Sequence, residues 1–333
     1  MKSIMIRICA LSVLFFATGC NVDLDGGEGG TSFSFDSFPL DQRLALEKTE
    51  LVSIKSPVPE FSDSDFSVSS SDEAVAVIST APRPGVAPDQ EAENVYFNLR
   101  GVAEGSAKIT VTYEGVTPQT LEFNVDVVPS VKQSFDSSTN TLVVGSFIWA
   151  ISRHLDSEDK ELLGAIEQEE LDLGGVVMTQ SGANQLKVEG KSAGTFTLPI
   201  PGNEQEIKVL EVSAVEDISL TLISNNNGSM LTTEEEAAEV NLAVDTQEYI
   251  VVSLKAGEWF SLPYFTTVEG EAPLFSFEVA EGSTDVCRLV NGDEQFVELF
   301  RDLRWMLEPV KAGSCKLNLR FGEIAKELSF KVQ

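Results

Sequence analysis

The chain has 333 residues, of which 53 are acidic and 23 basic, giving a formal net charge of −30 at pH 7. A field of that sign repels nucleic acid and anionic lipid surfaces, argues against both as partners, and favours solubility. Apolar residues make up 42%, an ordinary share that can bury real cores in two or three domains of about 100 residues each.

In chain order, Lys2 and Arg7 come first, then the apolar run from Ile8 to Phe16, then the small residues Ala17-Thr18-Gly19 before Cys20. That order is the plan of a secretory signal, and the run is too short for a permanent membrane span. Small residues leading directly into Cys resemble the bacterial lipoprotein signal, in which the Cys thiol is acylated and the chain is cut before it. Here Ala17 stands where Leu is commoner. The resemblance implies a signal peptide over 1–19, a lipid anchor on Cys20 and a location on the cell envelope. With Asn21 rather than Asp after the Cys, it implies the outer membrane if the source is Gram-negative. Ala17 and Gly19 also suit ordinary signal peptidase, which would leave Cys20 unmodified.

Residues 20–44 read as a flexible tether, rich in Gly, Asp and Ser from Asn21 to Ser37 and reaching about 20–25 Å as a random coil. Asp23, Asp25 and Gly26 begin like a calcium loop but lack its remaining ligands.

Beyond the tether the chain repeats itself. Three stretches, 95–113, 185–200 and 303–321, each lead an alternating segment through a Gly turn into a second alternating strand. A closing strand then follows at 120–128, 206–215 and 326–332. Anchoring on Gly105, Gly194 and Gly313 aligns Phe97, Leu186 and Trp305. It also aligns Ala107, Ile109 and Val111 with Phe196, Leu198 and Ile200, and with Cys315, Leu317 and Leu319. Period-two alternation predicts strands with one wet and one buried face, and short strands divided by Gly turns predict antiparallel sandwiches.

The segments SVSSSDEAVAVIST (67–80) and GVAEGSAKITVTY (101–113) resemble the bacterial immunoglobulin-like domain of the BIG2 type. Ser70, Ser71, Asp72, Val75, Ala76 and Val77 fill the family's first element, and Gly105, Ala107, Ile109 and Val111 its second. The resemblance is fullest over 45–128, thinner over 216–333, and carried mostly by the closing strands over 129–215. It implies an all-β protein of three tandem immunoglobulin-like sandwiches over those ranges. Cys9 leaves with the signal, so Cys287 and Cys315 remain, and leftover thiols of an exported chain most often pair. The alignment puts Ala76 and Ala107 where Cys287 and Cys315 stand, which implies a disulfide between them.

Short helical insertions are expected at three places. Ser157-Glu158-Asp159 opens a run with Leu162, Leu163 and Ile166 on one face and acidic residues up to Glu170. Thr233 to Glu236 has capping-box spacing, and Phe296 and Phe300 suit a third helix. Each would cover a sheet edge.

Candidate chemistry is sparse. Gly190-Lys191-Ser192-Ala193-Gly194 has the G-x-S-x-G spacing of a nucleophile elbow, but it leads into a strand where an elbow needs a helix. The one histidine, His154, precedes Ser192 and cannot build a zinc site alone. Carboxylate pairs such as Asp63 with Asp65, or Glu234 with Glu236, are expected anywhere in so acidic a chain. Trp259, Phe260, Tyr264 and Phe265 read as core, with a glycan platform as the alternative. No catalytic, cofactor or metal residue is expected. The expected function is a non-enzymatic binding or spacer lipoprotein whose partner is an envelope protein or glycan. An envelope-polymer hydrolase and a structural subunit of an envelope complex are the alternatives.

Overall fold

A computed structural model describes residues 31–34, 41–56, 61–82, 94–115, 118–224, 230–232, 241–265, 273–291 and 305–333. Among them the expectation of an all-β chain of tandem immunoglobulin-like sandwiches is met.

Sandwich 1 begins with β1 (Thr31–Ser34), β2 (Asp41–Ala45), β3 (Thr49–Lys55) and β4 (Phe66–Ser70). It continues with β5 (Ala76–Thr80), β6 (Asn94–Gly101), β7 (Gly105–Tyr113) and β8 (Gln119–Val128). One sheet has the order β1-β3-β6-β5 and the other β2-β8-β7-β4. Strand β1 and all of β2 but Ala45 lie within the stretch 20–44 expected to be tether, and β2 runs parallel to β8 from Asp41 opposite Asn124 to Ala45 opposite Val128. Alternation does the rest. On β7, Ala107, Ile109, Val111 and Tyr113 are buried while Lys108 is exposed. Ile109 and Val111 pack with Phe97, Leu99 and Phe123 in one core. Each such side chain contributes about 1.5–3 kcal/mol by leaving water.

Sandwich 2 opens with β9 (Lys132–Gln133), β10 (Asp136–Ser137), β11 (Thr141–Val143) and β12 (Ser146–Ile151). Next come β13 (His154–Leu155), β14 (Glu161–Leu162), β15 (Leu171–Asp172) and β16 (Val176–Gln180). It closes with β17 (Gln185–Gly190), β18 (Gly194–Ile200) and β19 (Asn203–Leu210). Its sheets are β10-β12-β17-β16-β15, β11-β19-β18 and a small β14-β13-β9.

Sandwich 3 starts with β20 (Asp217–Ser224), β21 (Met230–Thr232), β22 (Asn241–Leu242), β23 (Glu248–Ala256) and β24 (Glu258–Ser261). Then come β25 (Tyr264–Phe265), β26 (Phe275–Val279) and β27 (Cys287–Asn291). The end is β28 (Trp305–Pro309), β29 (Gly313–Phe321) and β30 (Ile324–Val332). One sheet is β21-β20-β23-β28-β27, with β24 on β23, and the other is β22-β30-β29-β26.

The three share a skeleton. In each, the last two strands form a hairpin, and a short earlier strand runs parallel to the final one: β2 on β8, β11 on β19, β22 on β30. The turn into the penultimate strand also repeats. Gly105, Gly194 and Gly313 have φ of +146°, +157° and +156°, a region that L side chains rarely adopt. Across each turn one carbonyl accepts two N–H groups: Val75 from Val102 and Ala103, Gly175 from Lys191 and Ser192, Val286 from Val310 and Lys311.

Sandwich 2 departs from this skeleton in one strand. Strand β7 is flanked by β8 and β4, and β29 by β30 and β26, whereas among the described residues β18 pairs with β19 alone. The stretch between β12 and β16, which in the other sandwiches supplies β4 or β26, runs elsewhere.

That stretch contains the helix expected over 157–170, which does not form. The Asp156 carboxylate accepts the N–H groups of Glu158 and Lys160 at 2.8 and 2.9 Å, and Asp159 sits at φ 65°. Together they close a tight turn in place of a first helical turn. Beyond it Leu162, Gly164 and Ile166 are buried while Leu163 and Ala165 are half-buried, a period of two. A spacing of four fits a strand as well as a helix, and Gly164 at φ 136° between the two apolar residues settles it as extended chain. The helices expected at 233–236 and 296–300 lie outside the described residues. Within them the helical turns are three-residue pieces at Asp63–Asp65 and Val212–Ala214.

Candidate functional site

The residues singled out for chemistry are not assembled into a site. Ser192 is exposed in the β17–β18 turn, while His154 is 3% exposed at the other end of the β12–β17 ladder. That ladder runs from Phe147 opposite Glu189 to Ile151 opposite Gln185, about 13 Å at about 3.3 Å per residue, and Ser192 and His154 lie beyond its opposite ends. His154 is engaged structurally, with Nδ1 at 3.0 Å from Ser130 Oγ and Nε2 at 3.3 Å from the Ala165 carbonyl. Burial pulls its pKa below the ordinary value. Asp65 accepts the Ser62 N–H at 2.8 Å and completes a capping box around Asp63, so this carboxylate pair serves a turn. Among the described residues no three His, Cys, Asp or Glu side chains cluster to hold a metal ion. Asp23, Asp25, Glu234 and Glu236 lie outside the described residues, as do Cys20 and the segment before it.

Cys287 and Cys315 form a disulfide with Cα atoms 5.7 Å apart, both fully buried. It ties β27 of one sheet to β29 of the other.

What the chain does assemble is a pair of joints. Between sandwiches 1 and 2, the extended stretch after β14 lies along β2 and the chain after it. The Leu163 N–H donates to the Arg43 carbonyl, the Ala45 N–H to Leu163, and the Ala165 N–H to Thr49, each at 2.8 Å. The buried Glu50 carboxylate accepts the Gly164 N–H at 2.9 Å. Two ion pairs cross this seam, Arg43 with Asp156 at 2.5 Å and Lys48 with Glu167 at 3.0 Å. The Lys160 N–H, then Arg43 and the Glu158 N–H, hold the Asp156 carboxyl down at about 2.

Between sandwiches 2 and 3, β25 leaves its own sandwich and pairs antiparallel with β12, Phe265 opposite Ser146 and Tyr264 opposite Phe147. In return Val143 of β11 enters the core of sandwich 3. Rings lock this seam. Tyr264 stacks on Phe147 at 5.4 Å with the planes 18° apart, and Phe265 packs on Phe321 at 5.7 Å.

The four aromatics of 259–265 therefore divide. Phe260 and Phe265 pack against the core of sandwich 3, as expected. Trp259 is 46% exposed, with Lys255 over its ring at 5.6 Å, and Tyr264 joins the surface of sandwich 2. Two further surface rings escaped the sequence reading. Phe147 and Trp149 alternate with the buried Ile148 and Ala150 on β12, a pattern that was available. Their neighbour Tyr264 is too distant in sequence to have been paired with them. Lys187 lies 4.4 Å over the Phe147 ring. Glu189, held below the usual carboxylate range chiefly by its hydrogen bond from Lys191, completes this row.

No family model and no curated protein matches the chain. Solved structures that it resembles include domains 5–6 of the S-layer protein SbsC, at 16% identity over 52% of this chain and 94% of that one, TM-score 0.26. The Escherichia coli adhesin FdeC aligns at 14% identity over 88% of this chain and 94% of that one, TM-score 0.24. The I9–I11 tandem of titin aligns at 10% identity over 88% and 95%, TM-score 0.19. Likeness at these scores says nothing of what this chain does.

Proposed function

We propose that the chain is an exported lipoprotein, anchored to a membrane through an acylated Cys20, and that it works without catalysis as a binding and spacer module of the cell envelope. The observation that carries this reading is the pair of joints. Each joins neighbouring sandwiches by main-chain hydrogen bonds and packed side chains, so the sandwiches hold a set spacing instead of swinging on linkers. A stiff row of sandwiches behind a Gly-rich leader is suited to presenting a surface away from a membrane. Its partner is an envelope protein or glycan, and the charge of −30 disfavours nucleic acid.

Metabolic labelling with a palmitate analogue tests the anchor. The wild-type chain takes up label and sediments with membranes, and Cys20→Ser does neither; equal labelling of the two overturns the anchor. Ser192→Ala leaves any turnover of envelope polymers unchanged, because His154 is committed to the joint.

A further inference from the structure

The outer face of sandwich 2 carries a row of rings, one of which, Tyr264, arrives from sandwich 3 through the second joint. Strand β12 buries Ile148 and Ala150 completely, so Phe147 and Trp149 stand on the opposite face, half-buried. Trp149 meets Phe147 edge-on at 5.5 Å and 81°, and Tyr264 extends the row by stacking on Phe147. In sandwich 1, Thr49 and Leu51 occupy the positions that correspond by register to Phe147 and Trp149. In sandwich 3 the position of Trp149 is taken by Tyr249, 3% exposed, and that of Phe147 by Gln247, so the adjacent pair of half-buried rings is particular to sandwich 2.

Polar groups line the row on one side. Lys187 stands opposite Trp149 and Glu189 opposite Phe147, with the two charges 3.6 Å apart, and Gln185 follows opposite Ile151. An ammonium, a carboxylate and an amide beside flat rings are a set of donors and acceptors next to an apolar shelf. The core of a protein–protein interface is depleted in charge, whereas here a charged pair borders the rings directly. Covering Lys187 and Glu189 with an apolar protein surface would strand two charges. A sugar avoids this, because a pyranose ring offers C–H groups to an aromatic face and hydroxyls to the charged pair. Glu189 is already held by Lys191 at 2.5 Å as well as by Lys187 at 3.6 Å, so a polycation meets no unpaired carboxylate here, while the strongly acidic chain as a whole repels a polyanion.

We propose that Trp149, Phe147 and Tyr264, with Lys187 and Glu189 beside them, form a binding face for an uncharged polysaccharide. This rests on the binding-module reading above and names the class of its ligand.

The test uses the chain from residue 20 onward, with Cys20→Ser to keep it off membranes, in affinity electrophoresis and pull-down against cellulose, chitin and mannan, with heparin as an anionic comparison. Retention by at least one uncharged polymer is expected, with a blue shift of tryptophan emission. Trp149→Ala and Tyr264→Ala each weaken retention by about tenfold or more, the scale of one lost stacking contact with its buried area. Trp149→Phe keeps most of it, and Trp259→Ala changes nothing. Glu189→Gln paired with Lys187→Met, both at the surface, lowers affinity without touching a ring and covers the case in which a ring variant misfolds. Retention by heparin alone, no retention by any of the three uncharged polymers, or binding indifferent to both the ring and the polar variants overturns the proposal. None of these outcomes bears on palmitate labelling, so the anchored-spacer reading stands or fails separately.

Discussion

Sandwiches 1 and 3 correspond in their central strands, yet they fill one buried locus in different ways. Beside the turn glycine, sandwich 1 has Ala76 on β5 and Ala107 on β7, 0% and 4% exposed. Sandwich 3 has the Cys287–Cys315 disulfide between the matching strands. Sandwich 2 supplies a third filling, Val176 with Phe196. Its ring lies so close to Gly175 that a Cβ there would sit 2.0 Å from the ring's Cζ. The difference shows how narrow the locus is: it holds two methyl groups, one covalent link, or one ring beside a bare backbone.

Exchanging these fillings should break or sharpen the comparison. The largest effect is expected from Cys287→Ala combined with Cys315→Ala, which gives sandwich 3 the residues of sandwich 1. Opening a link between residues 28 apart costs about 3–4 kcal/mol in the chain-entropy model. Urea unfolding of the variant beside oxidised wild type would read it, and an unshifted midpoint would mean that the alanine filling is sufficient in both. Gly175→Val gives sandwich 2 the valine of sandwich 1 while keeping Phe196. Overpacking should cost about 1–3 kcal/mol, and adding Phe196→Ala should restore most of it in a double-mutant cycle. The reciprocal exchange, Ala76→Cys with Ala107→Cys, should close a second disulfide, seen as the loss of two free thiols. Its stabilisation should stay under about 3 kcal/mol, since engineered links deliver less than the model value.

The smallest expected effect concerns the first joint and its response to acid. Burial lowers the His154 pKa, so its stabilising contribution is complete above its unfolded value of about 6.5 and fades as pH falls through the lower folded value. The Asp156 pKa is also depressed, to about 2, so its contribution is complete above about 4 and is lost only as pH falls toward 2. Hydrogen exchange at the Leu163 and Ala165 amides should therefore speed up, relative to the β7–β8 hairpin, as pH falls below about 6.5. His154→Gln should flatten that response and Asp156→Asn should not. A response that survives His154→Gln would place the titrating group elsewhere.

Much of this was legible in the chain. The alternation in 105–113 and 313–321 names both the strands and the residues they bury, because a half-buried strand has no other way to be written. The three turn glycines and the cysteine pair followed from aligning the repeats. What escaped legibility was non-local. Leu162 and Ile166 carry a spacing common to both periods, and the extended form that Gly164 permits is held by Leu44, more than a hundred residues earlier and bridged to Leu163. Tyr264 likewise read as part of its own sandwich, since nothing near it states that β25 will pair with a strand of the preceding one. The aromatic row exists only through that exchange.

Strand β18, which among the described residues pairs on one side only, carries Pro199 at an exposed position. Where β4 and β26 seal the corresponding edges of the other sandwiches, this edge lacks a main-chain donor at Pro199, and Pro201 removes another just past the strand. A second chain laid along it would find its ladder interrupted at once. Proteins at high local concentration collide edge to edge, and an open ladder there would seed filaments. Pro199 and Pro201 insulate the edge, so giving up a strand to build a joint does not turn sandwich 2 into a template for aggregation.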